Sequence, residues 1–316
     1  MNEPLCLVVN PAAGGGRALR TLATATAALD GASARYQVQP SASLAHAREL
    51  AAAAAQRGEV TVAVGGDGLA GALAGAVADA GGVMALIPAG RGNDLARELD
   101  LPPGAAAAAA AILDGQQAEL DLLGLSIPGQ PEEIAVLSAY LGLPSVAGEI
   151  ANRARLLRGP VTYPVAALRA LARWRPVGFR VEQTGGAGGP VAGIPAGEFP
   201  GYGVVLANSR FFGGGMQVCP PARTGDGCLD VVVMHDAPKA AFLRVLIQVR
   251  AGTHISLPQV ALGQAAAVTV TADTALPVAA DGETLPWGSP LAAGVPLRAR
   301  VLRGALKVIV PAGPGR

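Results

Sequence analysis

The stretch Val62-Ala63-Val64-Gly65-Gly66-Asp67-Gly68 decides how the rest of the chain is read. Val60 and Val62–Val64 form a β-branched apolar run, which reads as a buried strand. Leu69–Ala80 is rich in Ala and reads as a helix. The glycines therefore sit at the carboxyl end of a strand, just ahead of a helix amino terminus. Glycine permits positive φ and leaves room for a ligand to approach the main chain. A helix amino terminus there offers unpaired N–H groups to an anion, commonly a phosphate. Asp67 adds a carboxylate beside that anion, and Mg²⁺ between the two would reconcile their charges. The simpler alternative is a tight turn in which Asp67 only caps the helix.

A second turn of the same kind weakens that alternative. Pro88-Ala89-Gly90-Arg91-Gly92-Asn93-Asp94 follows the apolar run Val83–Ile87 and precedes Leu95–Leu99, a helical pattern. A third unit opens the chain. Leu5–Val9 reads as a strand, Asn10-Pro11-Ala12-Ala13-Gly14-Gly15-Gly16-Arg17 as a loop, and Arg17–Leu29 as a helix. It is not a P-loop, because no Gly-Lys-Ser/Thr follows the glycines. Arg35–Val38 reads as a further strand, and Ser43–Gln56 as a helix capped by Ser41 or Ser43. Ala105–Leu113 is a helix, and Glu119–Leu122 starts the next strand. Repeated βα units predict a parallel sheet with the Gly turns on one edge, where open α/β sheets bind ligands.

The chain has 316 residues, enough for two domains, and 51% of them are hydrophobic. Much of that fraction is Ala, as in Ala51–Ala55 and Ala105–Ala111, which suits helices packed closely on a sheet. No apolar run free of Gly, Pro or charge reaches the length of a membrane span. Met1–Val9 carries Glu3 and no basic region, so no secretory signal is expected. A net charge of +1 argues against a nucleic-acid partner. Cys6, Cys219 and Cys228 form no metal-ligand pattern, and their odd number suggests a reduced, cytoplasmic compartment. His46, His235 and His254 form no cluster. Lysine is confined to Lys239 and Lys307, so phosphate charge would fall to Arg, backbone N–H groups and Mg²⁺.

From Ile134 the βα rhythm gives way to short strands and Gly/Pro turns. Ile134–Ala139, Gly178–Gln183, Gly201–Asn208, Leu229–Met234, Ala267–Thr271 and Pro277–Ala280 predict an antiparallel, β-rich second domain. Thr184–Gly203 reads as a long hairpin connection. Arg153–Arg175 carries Arg153, Arg155, Arg158, Arg169, Arg173 and Arg175 with no acidic residue between them. Two helices with a solvated basic face are the plainer reading. A patch that attracts anionic lipid headgroups is the sharper one. Asp281-Gly282-Glu283 follows a Val/Ala strand. On extended chain, residues two apart point the same way, so both carboxylates would face one site. An ordinary Asp-Gly turn is the alternative.

Gly65–Gly68 and Gly90–Asp94 together resemble the Gly-Gly-Asp-Gly and Gly-X-Gly-Asn-Asp signatures of the diacylglycerol kinase catalytic-domain family. That family includes bacterial lipid kinases and sphingosine kinases. Asn10-Pro11 with Gly14 is similar to its opening motif, and Asp121 matches a family position. Asn208, Gly213–Gly215, Pro220, Ala222, Asp226-Gly227-Cys228-Leu229-Asp230 and Asp281-Gly282-Glu283 fit it too. The resemblance implies an α/β protein of two domains with the active site in the cleft between them. The first is a nucleotide-binding domain with a parallel sheet, residues 1–122 plus a returning strand in 295–316. The second is a β-rich, sandwich-like lipid-substrate domain, 123–294.

The activity implied is transfer of the ATP γ-phosphate to a lipid hydroxyl, as of diacylglycerol or a sphingoid base, with ATP and Mg²⁺ as cofactors. Phosphate and nucleotide contacts would come from Asn10, Gly14, Gly15, Gly16, Arg17, Gly65, Gly66, Gly68, Gly90, Arg91, Gly92 and Asn93. Asp94 and Asp121 would orient the polar network, and Asp67 would hold Mg²⁺. Asp226 and Asp230 are a candidate pair for a structural Mg²⁺, with a turn capped by Asp226 as the alternative. Glu283, ahead of Asp281, would take the proton from the acceptor. The implied partners are ATP, a lipid and an anionic membrane surface touched peripherally at its inner face; a homodimer is left open. The chain departs from the family at Leu69, where Thr is usual, at Ala70-Gly71-Ala72, where an Asn-Glu pair is usual, and at Gly142-Leu143-Pro144. An NAD kinase-like phosphotransferase and a nucleotide- or lipid-binding protein without turnover are the competing readings.

Overall fold

A computed structural model of the chain describes residues 3–11, 16–153, 162–184, 194, 197–285, 287 and 290–312. Gly14, Gly15, Arg155 and Arg158 lie outside the described residues. Strands and helices alternate at first. β1 (Leu5–Val9), α1 (Arg17–Gly31), β2 (Tyr36–Pro40), α2 (Leu44–Gln56), β3 (Val60–Gly65), α3 (Asp67–Asp79) and β4 (Val83–Pro88) follow in turn. Then come α4 (Asp94–Glu98), α5 (Ala105–Asp114) and β5 (Gln116–Ser126).

The next stretch holds β6 (Glu133–Ala135), β7 (Ser138–Gly142), α6 (Leu143–Arg153), α7 (Thr162–Arg173), β8 (Val177–Thr184), β9 (Glu198–Ala207) and β10 (Leu229–His235). It ends with α8 (Lys239–Gln248), β11 (Val260–Ala265), β12 (Ala267–Ala272), β13 (Val278–Ala280), β14 (Glu283–Thr284) and the long β15 (Leu297–Val310). The chain divides into two compact units, Met1–Asp121 with Arg303–Arg316, and Leu122–Leu302.

In the first unit the strand order is β2-β1-β3-β4-β15, and every one of these pairs is parallel. β1 and β3 are buried along their whole length, as expected of strands covered by helices on both faces. The core joins Leu5, Leu7, Val62, Val64 and Ile87 of the sheet to Ala25 and Leu29 of α1 and Ala108, Ala109 and Ile112 of α5. Ala-rich helices suit this arrangement, since a methyl group lets α5 come close to β4 at little loss of side-chain entropy. Ser43 caps α2, its Oγ accepting from the His46 N–H at 3.1 Å. Ser41, the other expected cap, is buried and donates its hydroxyl to the Val9 carbonyl instead.

The second unit is antiparallel throughout its named pairs. β7 runs against β9 and β13, β8 against β9 and β12, and β10 against β9 and β11. Its core gathers Tyr140, Phe179, Tyr202, Val204–Ala207, Val231–Val233 and Phe242. Two helices here depart from the strands-and-turns expectation, α6 and α8. Each has an apolar stripe of helical period beneath polar neighbours. In α8 it is Phe242 and Val245, with the Phe242 ring stacked on Tyr202 at 3.8 Å. In α6, Pro144 falls in the first turn, where proline is tolerated. The expected connection from Thr184 to Gly203 is shorter than that, because β9 already begins at Glu198.

Candidate active site

The three Gly-containing turns of the first unit follow β1, β3 and β4, so all lie at the carboxyl edge of its sheet. β1 and β3 are also where the strand order reverses, the point at which open α/β sheets take ligands. The register puts Gly65 beside Pro88, and the Ala89 N–H donates to the Gly65 carbonyl at 2.7 Å. Beyond that bond the two turns touch backbone to backbone. A Cβ built on Gly66 would stand 2.9 Å from the Gly90 Cα, and one on Gly90 only 2.4 Å from the Gly66 Cα.

The expected reason for these glycines is therefore corrected. Gly65, Gly66 and Gly90 do not have left-handed φ. They are small because their neighbours occupy the space a side chain would need. Positive φ is adopted instead by Asn93, at +53°. Its Oδ1 accepts from the Gly90 N–H at 2.8 Å and its Nδ2 donates to the Gly90 carbonyl at 3.3 Å. Asparagine tolerates that conformation better than most side chains.

A second correction concerns Asp67. Helix α3 starts on it, so Asp67 and Gly68 form the helix's first turn and not a loop ahead of it. The Asp67 Oδ1 accepts from the Leu95 N–H at 3.0 Å and so caps α4, not its own helix. Oδ2 makes no hydrogen bond among the described residues. Asp94 opens α4, is buried, and is held by Arg97 at 2.7 Å. Arg17, the exposed first residue of α1, donates Nη1 to the Gly90 carbonyl at 3.3 Å and joins the β1 loop to the β4 turn. Asn10 directly follows β1, and Gly16 at φ +83° precedes α1. Gly92 and the exposed Arg91 lie within the β4 turn. Asp121 is buried on β5, where its Oδ1 accepts from the Gly304 N–H of β15 at 2.7 Å. That bond ties two strands together.

In the second unit the Asp281-Gly282 pair is the two-residue turn of the β13–β14 hairpin, with Ala280 opposite Glu283. Both turn residues have positive φ, +49° and +89°, as a type I′ turn requires. The chain is not extended here, and the expectation that both carboxylates face one way does not hold. Asp281 accepts from the Val136, Leu137 and Ser138 N–H groups at 2.7, 2.8 and 3.1 Å. Three such bonds make it an anchor for the start of β7 rather than a base. Glu283 is accessible to solvent, yet dense protein around it desolvates the carboxyl and raises its pKa. Beside the hairpin lies an aromatic group. Tyr140 meets Phe212 edge-on at 4.6 Å, and Phe212 meets Tyr163 at 6.3 Å. Burial drives the Tyr140 phenol well above its usual range, with Tyr163, Asp281 and Glu283 adding smaller effects. Sequence reasoning missed this group, because its members lie on β7, α7 and a loop far apart in the chain.

Asp226 and Asp230 come together at the start of β10. The Asp226 Oδ1 accepts from the Cys228 N–H at 3.0 Å, forming the capped turn. Asp230 is buried, its Oδ2 has no hydrogen-bond partner among the described residues, and desolvation, then Asp226, push its pKa up to about 6. Oxygen donors of this kind fit a hard cation such as Mg²⁺. No group of three or more His, Cys, Asp or Glu with metal-binding geometry occurs among the described residues. At the Gly turns Asp67 is the carboxylate with an oxygen to spare.

Two family models match the chain. The diacylglycerol kinase catalytic domain matches residues 4–125, and the YegS C-terminal NAD kinase beta sandwich-like domain matches residues 137–310. A diacylglycerol kinase of Mycobacterium tuberculosis strain H37Rv is 34% identical over 81% of this chain and 81% of its own. The chain belongs to the diacylglycerol kinase family. Another relative, a "Probable lipid kinase YegS-like" of Stenotrophomonas maltophilia strain K279a, is 30% identical over 64% of this chain and 65% of its own. The crystal structure of a diacylglycerol kinase from Bacillus anthracis strain Sterne shares the fold. Its TM-score is 0.69 at 18% identity, covering 98% of this chain and 97% of that one.

Membership in the diacylglycerol kinase family sharpens one departure. Leu69 is buried with its Cδ2 only 2.7 Å from where a Gly65 Cβ would stand, so it packs over that glycine. The hydroxyl usual in the family is replaced by apolar packing on the same turn.

Proposed function

We propose that this protein is an ATP-dependent lipid kinase, moving the γ-phosphate of ATP to the hydroxyl of a lipid such as diacylglycerol or a sphingoid base. The observation that carries the reading is the contact of the two Gly turns. Gly66 and Gly90 bring the amino-terminal N–H groups of α3 beside a turn that Asn93 and Arg17 hold in place. Unpaired N–H groups, an Arg and a carboxylate with a spare oxygen form the set that a polyphosphate with Mg²⁺ needs. Phosphoryl transfer depends on positioning and charge stabilisation, and this set supplies both.

In this reading Gly16, Gly65, Gly66, Gly68, Gly90 and Gly92 offer main-chain contact to phosphate and nucleotide. Arg17 and Arg91 supply positive charge, with Asn10 and Asn93 shaping the turns. Asp67 would hold Mg²⁺, which when bound neutralises the phosphates. Glu283 accepts the proton of the acceptor hydroxyl, its raised pKa bringing its basicity nearer to neutral pH. The Tyr140–Phe212–Tyr163 rings offer an apolar wall near it, which suits a hydroxyl attached to hydrocarbon.

The test is incubation of the protein with γ-labelled ATP and a total lipid extract, with NAD as a parallel acceptor. Label in a lipid product supports the reading. Label in NAD would select an NAD kinase-like activity. The packing of Leu69 favours the second reading of nucleotide binding without turnover, which ATP binding with no labelled product would select.

A further inference from the structure

Six large hydrophobic side chains are exposed among the described residues, and Leu168, Leu243 and Ile247 among them lie on α7 and α8. Ile247, at 68%, is the most exposed of all. The two helices are neighbours, since Lys239 in the first turn of α8 donates its Nζ to the Ala172 carbonyl in the last turn of α7 at 2.7 Å. Their inner faces are fully used. Ala166, Ala170, Leu171 and Trp174 are buried on the α7 side, as are Phe242 and Val245 on α8. The outer faces are not. Pro164, Leu168 and Ala172 form an exposed row at spacing four on α7, as do Lys239, Leu243 and Ile247 on α8.

Charge on this face has one sign. Arg169, Arg173 and Arg175 stand with the first row and Arg244 and Arg250 with the second, all exposed and none in an ion pair among the described residues. Neither helix carries an acidic residue, and the flanking ones in the chain are Glu149, Glu182, Asp236 and Asp273. Exposed aliphatic tips framed by arginines describe a surface that enters the headgroup layer of an anionic bilayer. A second copy of the same face would oppose like charges, which disfavours self-association through it.

We infer that the paired outer faces of α7 and α8 are a peripheral docking surface for an anionic lipid bilayer, Leu168, Leu243 and Ile247 entering it and the arginines meeting its phosphates. This rests on the lipid-kinase reading only for its purpose, since the surface stands on exposure and charge alone. Tyr163 connects the two. It lies on α7 and packs against Phe212, which packs against Tyr140 by the Glu283 hairpin, so a bilayer on this face would present acceptor lipid beside that ring group.

The test is co-sedimentation of the full chain with vesicles of phosphatidylglycerol and phosphatidylcholine in equal parts, and with phosphatidylcholine alone. Binding should need the anionic lipid and weaken as salt shortens the Debye length to ~8 Å and below. The Arg169→Gln/Arg173→Gln/Arg244→Gln variant should bind at least ~10-fold more weakly. The Leu243→Ser/Ile247→Ser variant should also lose about 10-fold, now independently of salt. Both should phosphorylate a short-chain, water-dispersed acceptor as the parent does. Equal binding to both vesicle types, or binding that neither variant alters, would overturn the surface. So would a parent dimer that either variant turns into a monomer, which would assign the face to a second copy. Variant-sensitive vesicle binding without phosphotransfer to any lipid would leave the surface standing and remove the kinase reading.

Discussion

The Gly turns of the first unit and the Asp281 hairpin of the second carry the same residue types, yet the structure uses them in opposite ways. At β3 and β4 the glycines are needed for closeness, each backbone filling the space beside the other, and the aspartate keeps an oxygen to spare. At β13–β14 the glycine is needed for positive φ, and the aspartate is spent on three backbone N–H groups. An Asp next to a Gly thus does not announce a site. What distinguishes the two cases is how many hydrogen bonds the carboxylate already accepts.

The largest effect should come from the carboxylate with capacity left. Asp67→Ala should lower turnover by roughly 10³-fold, since it removes charge stabilisation where phosphate charge is held. It leaves only the Leu95 N–H without its acceptor, so chemical denaturation should show the fold retained. Turnover close to the parent's at saturating Mg²⁺ would contradict the role.

Glu283→Gln should cost about 10²-fold or more in turnover, the usual contribution of a positioned base, while ATP affinity stays unchanged. The pH profile separates this from a packing effect. A base must be ionised, and desolvation raises the Glu283 pKa, so the acid limb of kcat/KM should lie above the ordinary glutamate range. Activity should fall as pH drops through that raised value, and the limb should vanish from the residual rate of Glu283→Gln. A parent profile that is flat down to the ordinary range would break the assignment.

Asp281→Ala tests the opposite half of the comparison. Three N–H groups lose their acceptor and the residue keeps an unfavourable φ, so unfolding free energy should drop by about 4 kcal/mol. Asp281→Asn keeps an acceptor and tolerates the left-handed region, and should cost about 1 kcal/mol. If instead Asp281→Asn abolished turnover in a fully stable protein, Asp281 would be a reacting group.

Gly90→Ala gives the smallest effect on the fold. The added methyl meets the Gly66 Cα, and overpacking of this kind costs about 2 kcal/mol. ATP affinity should fall with it, because the turns must part. A stable Gly90→Ala with parental affinity would show that the contact is incidental.

Why some of this was legible in the chain follows from the reach of each signal. The βα alternation rests on local periods of apolar residues, and β1, β3 and β4 appear where those periods put them. The turns after them were legible for the same reason. Tertiary uses were not. That Asp67 caps α4, that Asn93 takes positive φ to clasp Gly90, and that Asp281 serves the amides of residues 136–138 depend on partners up to 145 positions away. Helices α6 and α8 were hidden because Gly and Pro around them suggested turns. The aromatic group beside Glu283 has no local pattern at all.

The most direct measurement is transfer of label from γ-labelled ATP to dispersed diacylglycerol by the parent, Asp67→Ala and Glu283→Gln proteins, with ATP binding followed in parallel. The account predicts labelled lipid from the parent, little or none from either variant, and retained ATP binding by Glu283→Gln. A parent that binds ATP but labels neither diacylglycerol nor any component of a total lipid extract would contradict it.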